Sequence, residues 1–252
     1  MGRVQDKVAL VTGGASGVGR ETVKLLLEEG AFVAISDINA EAGQAFADEC
    51  GERAIFVRHD VASEADWTDA MAAVQQRFGL LDILINNAGI LIPGSIETAT
   101  LAQFRQLMQV NADSCFLGCQ QGVAAMKERG GSIVNMASVS SWLPIEGYAG
   151  YSATKAAVAA LTRATALFCR NNGHPVRVNS LHPDGIYTPM MQASAPGVPA
   201  KFLLFDAKKN PKGRAALPEQ IAKVLLFLAS DDSQAISGAE IRADSAILGM
   251  GL

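Results

Sequence analysis

The sequence predicts a doubly wound α/β fold, and three observations carry that prediction. Seven short runs rich in Val, Ile and Leu recur along the chain, and segments with helical spacing separate them. A chain of 252 residues that is 49% hydrophobic and only 18% charged is also long enough to bury one large core. Apolar runs with little alternation suit strands covered on both faces of a parallel sheet. Strand alternating with helix is the pattern of such a sheet sandwiched between helices. One compact domain over residues 1–252 is expected.

In chain order the strands are read at "KVALVTG", "AFVAISD", "AIFVRHD", "LDILINN", "GSIVNMAS", "VRVNSLHP" and "ISGAEIRAD". Helices are expected over 17–29, 40–50, 64–78, 100–128, 151–170 and 218–229. One segment breaks the rhythm: residues 186–215 hold four of the nine prolines and join the sixth strand to the last helix. A connection this long is uncommon in a compact domain unless it binds something, covers something or is disordered. Its Met190, Met191, Phe202, Leu203, Leu204 and Phe205 are too apolar for a disordered tail in water. It is read as a lid over an apolar pocket.

A formal charge of −4 and a pI near 5.4 leave no basic stripe for a phosphate backbone, which argues against nucleic acid as a partner. No signal-peptide core precedes Asp6 and Lys7, and no apolar run reaches about 18 residues, so a cytoplasmic chain without membrane contact is expected. Cys115 and Cys119, at i and i+4, lie in an apolar run and are read as buried free thiols, like Cys50 and Cys169. No metal is expected, since apart from Cys115 and Cys119 the cysteines show no ligand spacing, and the three histidines show none.

Chemistry is concentrated at two places. The first strand runs into "TGGASGVGR", where Gly13, Gly17 and Gly19 stand at the start of the next helix. Glycines there allow a tight turn and a close backbone approach to a pyrophosphate, whose charge is held by free N–H groups and the positive end of the helix. The second strand ends in "AISD", which puts Asp37 eighteen residues after Gly19, where an acid can accept hydrogen bonds from ribose hydroxyls. Neither Ser16 nor Ile38 supplies a positive charge for a 2′-phosphate, and Asp37 would repel one, so NAD is expected over NADP. The second place is "YAGYSATKAA", where Tyr151 stands four residues before Lys155 and so shares its helix face.

Taken together with "DV" (60 and 61), "NNAG" (86–89), Asn111, Ser138 and "HPDGIYTPM" (182–190), these motifs resemble the short-chain dehydrogenase/reductase family over nearly the whole chain. The resemblance implies a seven-stranded parallel Rossmann sheet. It implies cofactor contacts from Gly13, Ser16, Gly17, Val18 and Gly19, from Asp37 and Ile38, and an adenine pocket at Asp60 and Val61. Nicotinamide contacts are implied from Asn87, Ala88 and Gly89 and from Ile186 and Thr188, and further cofactor contacts from Pro183, Gly185, Tyr151 and Lys155. Most members have Pro-Gly after the sixth strand, whereas here Asp184 intervenes; it is read as capping the turn.

The implied chemistry is hydride transfer between a secondary alcohol and the nicotinamide, with Tyr151 as general base. Bringing a phenol from pKa about 10 to near 7 takes about 4 kcal/mol. One ammonium at about 4 Å supplies about that much at an effective dielectric near 20, so Lys155 is expected to lower Tyr151. Ser138 is implied to hold the substrate oxygen, with Ser140 and Ser141 near enough to blur that assignment. Asn111 is implied to help hold a water that relays protons to Lys155. His59 and His182 are tempting acid/base candidates, yet both lie in strand-end motifs whose neighbours are the binding residues.

At finer grain, "GCQQGVAAMK", "NMASVSSWLPIE", "HPDGIYTPMMQAS" and "ILGMGL" are similar to the bacterial 3β/17β type of hydroxysteroid dehydrogenase within that family. A bulky apolar alcohol or ketone is implied, walled by Ser140, Trp142, Leu143, Ile145, Tyr148, Met190, Met191, Phe202 and Phe205. Non-steroid cyclic or aryl alcohols stay open, and so does an NAD-binding protein without catalysis, which the intact set Asn111, Ser138, Tyr151 and Lys155 disfavours. The family's 3-oxoacyl carrier-protein reductases prefer NADPH and a basic docking surface, which fits Asp37 and the negative charge poorly. A homotetramer is implied, with contacts from helices 100–128 and 151–170, the last strand and the tail.

Overall fold

The computed structural model describes residues 2–194 and 197–249. Seven strands fall where the apolar runs predict them: β1 (Val8–Thr12), β2 (Phe32–Asp37), β3 (Ala54–Arg58), β4 (Ile83–Asn86), β5 (Gly131–Met136), β6 (Val176–Pro183) and, at the end of the chain, Glu240–Ala243. All seven pair in parallel, in the order β3-β2-β1-β4-β5-β6 and then the last strand, which is a Rossmann-type sheet. The order reverses between β1 and β4, and open α/β sheets bind their ligands in the crevice outside the strand ends at that point.

Helices α1 (Gly17–Glu28), α2 (Ala40–Cys50) and α3 (Glu64–Phe78) follow the first three strands. Each of the latter two starts on a side-chain cap: Asn39 accepts from the Ala42 N–H, and Ser63 from the Asp66 N–H. Gly79 ends α3 in the left-handed conformation that a residue with Cβ resists. One core layer packs Val23, Leu26 and Phe46 against Val11, Ile35 and Ile85, with Leu225 and Leu228 closing it. The other packs Trp67, Val123, Val158 and Cys169 against Leu10, Leu84, Ile133 and Val178. The sheet is therefore buried on both faces, which explains why its strands show no alternation.

The structure corrects the single helix expected over 100–128. α4 (Leu101–Met108), opened by a Thr100–Gln103 capping box, gives way to one wide π turn at Gln109–Asp113 before α5 (Ser114–Met126). A π turn places one extra residue in the helix and re-aims the side chains within it, and Asn111 lies inside it. α6 (Ala149–Asn171) runs two residues earlier than read and carries Tyr151 and Lys155.

Residues 186–215 also differ from a bare connection. A two-residue parallel ladder, β7 (Gly185–Ile186) with β8 (Ala215–Ala216), closes the segment at its base, and two short helices, α7 (Pro189–Ser194) and α8 (Ala200–Leu203), lie within it. Helix α9 (Pro218–Ala229) then leads to the last strand, β9 (Glu240–Ala243). Two-residue strands and a four-residue helix are too short to show a period, so sequence pattern does not reveal them. Ala195 and Pro196 of the expected lid, and residues 250–252 of the tail, lie outside the described residues.

Candidate active site

Six of the seven strand ends on one edge of the sheet carry a segment that the motifs single out. Gly13 follows β1, Asp37 ends β2, Asp60 follows β3, Asn87 follows β4, Ser138 follows β5 and Pro183 ends β6.

The turn after β1 needs its glycines. Gly13 and Gly17 have φ of 63° and 52°, in the left-handed region. A Cβ on Gly13 would meet the Ala88 Cα at 3.0 Å, and one on Gly17 would meet the Thr188 Cγ2 at 3.3 Å, so the turn is wedged between two segments expected to touch a cofactor. Gly19 packs so closely that a Cβ would lie 2.1 Å from the Gly13 carbonyl oxygen. Ser16 precedes α1 without a side-chain cap, and no acidic residue stands in the first turn. These uncapped amides at a positive helix end fit a pyrophosphate.

Asp37 does not cap α2; Asn39 does. Its carboxylate accepts the Ala15 N–H at 3.1 Å and the Asn39 N–H at 3.0 Å, which ties the glycine turn to the end of β2 and fits an adenosine ribose beside it. Ile38 is exposed next to it. Asp60 accepts the Ala62 N–H at 3.0 Å and gives its own N–H to Asp66, while buried Val61 receives the Trp67 indole on its carbonyl.

Thr12 is a site residue that the motif reading passed over. Its buried hydroxyl accepts the N–H groups of Asn87 and Ala88 at 3.0 Å each, and the Asn87 side chain returns a bond to the Thr12 carbonyl at 2.9 Å. The available signal was a hydroxyl residue ending an otherwise apolar central strand, since a buried hydroxyl requires a partner.

Around the β4 and β5 ends, four side chains meet. The Asn111 Oδ1 accepts the Ile90 N–H at 2.8 Å, and its Nδ2 donates to the Ile90 carbonyl at 3.0 Å and the Thr154 hydroxyl at 3.2 Å, so it bonds outside its own helix. A Cβ on Gly89 would lie 3.1 Å from Asn111 Oδ1 and 3.7 Å from Lys155 Nζ, which places that glycine between the two. Buried Lys155 donates to the Met136 carbonyl at 2.8 Å, and its Nζ lies 5.6 Å from the Tyr151 ring centre.

Here the expectation about the pair is corrected. Burial pushes the Tyr151 phenol up to about 12, against a smaller downward pull from the Ser138 hydroxyl, and burial brings Lys155 down to about 8. The ammonium is itself desolvated and directed at a carbonyl, so Lys155 alone does not bring the phenol into the neutral range.

Ser138 Oγ accepts the Ser140 N–H at 3.2 Å and reaches the Pro183 carbonyl at 3.5 Å. Ser140, expected as a pocket wall, is 1% exposed because the short helical turn Val139–Ser141 directs it into the core. Trp142, 41% exposed, Ile145, Met190 and Phe205 do present apolar surface, whereas Leu143, Tyr148 and Met191 are half-buried. Phe202 is 66% exposed and turned to solvent. His59 and His182 are both buried, and burial holds each down to about 4, so neither carries charge at neutral pH.

Asp184 departs from its expected role as a turn cap. Its carboxylate pairs with Arg214 at 2.7 and 2.9 Å, two parallel bonds across the base of the 186–215 segment. Ile186 and Thr188 follow directly, with the Thr188 N–H on the Ile186 carbonyl at 2.8 Å.

Residues 13–246 match the family model described as enoyl-(acyl carrier protein) reductase, and the chain belongs to the short-chain dehydrogenase/reductase family of nicotinamide-dependent oxidoreductases. It is 68% identical over 251 residues, 99% of each chain, to the 3-beta-hydroxysteroid dehydrogenase of Comamonas testosteroni. It is 41% identical to the 3-alpha-(or 20-beta)-hydroxysteroid dehydrogenase of Mycobacterium tuberculosis, covering 96% of this chain and 90% of that one. It is 36% identical to the NADP-dependent (R)-specific alcohol dehydrogenase of Lentilactobacillus kefiri, covering 96% of each.

Proposed function

We propose that the protein is an NAD-dependent dehydrogenase of bulky apolar secondary alcohols, a 3β/17β-type hydroxysteroid being the leading substrate. The observation that carries this reading is a chain of neighbours, Asn111 and Lys155 at Gly89, Tyr151 beside Lys155 and Ser138 beside Tyr151, at the edge where Gly13, Gly17 and Asp37 fit a dinucleotide. The similarity to hydroxysteroid dehydrogenases, at 68% and 41% identity, supports the steroid class.

NAD, when bound, supplies the hydride acceptor. Ser138 holds the substrate oxygen by its hydroxyl and steadies the charge that develops there. Tyr151 takes the hydroxyl proton, with Lys155 on the same helix face, and the Ser138 hydroxyl favours its anion. Asn111, held on Ile90 and Thr154, keeps the path to Lys155 open for a proton relay. The carboxylate of Asp37 selects the ribose hydroxyls of NAD over a 2′-phosphate. The apolar 186–215 segment closes over the substrate beside Trp142.

The alcohol dehydrogenase relative at 36% identity favours the second reading, in which non-steroid cyclic or aryl secondary alcohols are oxidised by the same residues. Exposed Phe104, Phe116, Leu167 and Phe168 on α4, α5 and α6 support a homotetramer, and no described helix is long and apolar enough to cross a membrane. The test is the initial rate of oxidation of testosterone, 3-hydroxysteroids of the androsterone type and cyclohexanol, with NAD and NADP at alkaline pH. Steroid turnover with NAD is the expected result. Turnover of cyclohexanol alone removes the steroid assignment, and faster reaction with NADP removes the reading of Asp37.

A further inference from the structure

The imidazole of His182 touches neither the dinucleotide cradle nor the proton path, yet its surroundings are specific. Its Nδ1 lies 3.0 Å from the Ser138 carbonyl and 3.2 Å from the Ser141 hydroxyl; its Nε2 lies 2.8 Å from the Ser180 hydroxyl. A carbonyl oxygen only accepts, so Nδ1 carries the proton and Nε2 accepts from Ser180. The Ser141 hydroxyl adds a second tie, donating to the Ser138 carbonyl at 2.6 Å, with the Lys155 carbonyl at 3.2 Å. The ring is stacked on Trp142, with centroids 4.2 Å apart and planes 20° from parallel. Beyond Ser180, Glu240 pairs with Arg163 through one carboxylate oxygen, and its other oxygen is buried 3.8 Å from Nε2 with no hydrogen-bond partner among the described residues.

Deepening the dehydrogenase reading on which it rests, we propose that His182 is a positioning residue for both halves of the alcohol site. Its Nδ1–H fixes the backbone of Ser138, which sets where that hydroxyl meets the substrate oxygen. Its ring backs Trp142 and holds that indole upright as a wall of the pocket. One neutral side chain on β6 thereby couples the alignment of the reacting oxygen to the shape of the space for the rest of the molecule. The neutral form is the only one that both donates at Nδ1 and accepts at Nε2, and burial keeps the ring in that form.

Two substitutions separate the roles. His182→Asn keeps a donor where Nδ1 lies and removes the ring; His182→Phe keeps a ring under Trp142 and removes the donor. With His182→Phe, kcat is expected to fall about ten- to a hundredfold on cyclohexanol and steroid alike at unchanged KM, as a small misplacement of a reacting group does. With His182→Asn, kcat on cyclohexanol is retained while KM for the steroid rises. Acrylamide quenching of Trp142, taken as the difference between each protein and its Trp142→Phe counterpart, increases in His182→Asn and not in His182→Phe. NAD affinity by calorimetry stays at the wild-type value in both.

Equal losses in both variants, or loss of NAD binding with either, overturn the proposal in favour of a purely structural role. Wild-type kinetics in both overturn it as well. If His182→Phe does not fold, the split between substrates in His182→Asn decides alone. A wild type inactive on every alcohol refutes the dehydrogenase reading instead, and the Trp142 quenching still decides whether His182 holds that wall.

Discussion

The two ends of the candidate site are built in opposite ways. At the dinucleotide end, the turn after β1 is locked by the Thr12 hydroxyl, the Asn87 amide and the Asp37 carboxylate, each bonded to backbone. At the alcohol end, α7 and α8 bury none of their residues, their segment leaves Met190, Val198, Phe202 and Phe205 exposed, and it is anchored by a two-residue ladder, the Asp184–Arg214 ion pair and a few backbone bonds from Leu203 and Phe205 to Arg214 and Ala215. The first arrangement suits recognition of one fixed ligand, since geometry there is set before the ligand arrives. The second suits recognition that differs from one relative to another, because thinly packed segments open at low free-energy cost and tolerate substitution.

The comparison is sharpened most by removing the proposed base. Tyr151→Phe is expected to lower kcat by about a thousandfold or more while NAD still binds, because general-base catalysis contributes about 10²–10⁴; initial rates alongside calorimetric titration read both. Retained turnover would break the assignment of the proton step.

Acid comes next in size. His59 and His182, on either side of the sheet's ligand edge, are held near 4 when folded, against about 6.5 in an unfolded chain. Their stabilising contribution is fully present above pH 6.5 and is lost as the pH falls through 4, because the unfolded chain then takes up protons that the folded one refuses. Each contributes about 3 kcal/mol to that loss, read by urea denaturation across the pH range. In His182→Asn the slope between pH 6.5 and 4 flattens.

A smaller effect tests the dinucleotide end alone. Asp37→Asn keeps an acceptor for the Ala15 N–H and removes the charge, so the preference for NAD over NADP is expected to narrow about tenfold, one lost charge-assisted contact. Unchanged preference would show that discrimination lies elsewhere.

The smallest effect is expected at the other end. Arg214 is about half exposed, so Arg214→Ala lowers stability by less than about 1 kcal/mol. KM for the bulkiest substrate rises a few-fold and cyclohexanol is unaffected, as steady-state kinetics with both will read. A general loss of activity would mean that the ion pair supports the whole site.

The same contrast decides what could be read from sequence. Strands and glycine turn were legible because burial on both faces writes continuous Val/Ile/Leu runs, and a left-handed turn writes Gly at Gly13 and Gly17. Asn111, Ser138, Tyr151 and Lys155 could be named from the family resemblance, but not their electrostatics. That Lys155 spends a hydrogen bond on the Met136 carbonyl, and that the phenol is desolvated, depends on chain segments far apart in sequence. The π turn at Asn111 leaves no periodic mark, being one residue in an otherwise regular helix. Asp184 was legible as a departure only; its partner thirty residues on is fixed by the ladder that brings the two ends of the segment together.

That ladder has a consequence for how such a chain can change. Residues 187–214 hang from a neck made of β7, β8 and the Asp184–Arg214 pair, so the ends of the segment are held together whatever its interior contains. Closing a flexible loop of twice the length costs only about 0.6 kcal/mol more, and none of that reaches β6 or α9. The segment is in this sense a cassette. One transplanted between Ile186 and Ala215 from a relative with a different alcohol is expected to bring its own preference and leave the dinucleotide cradle as it is.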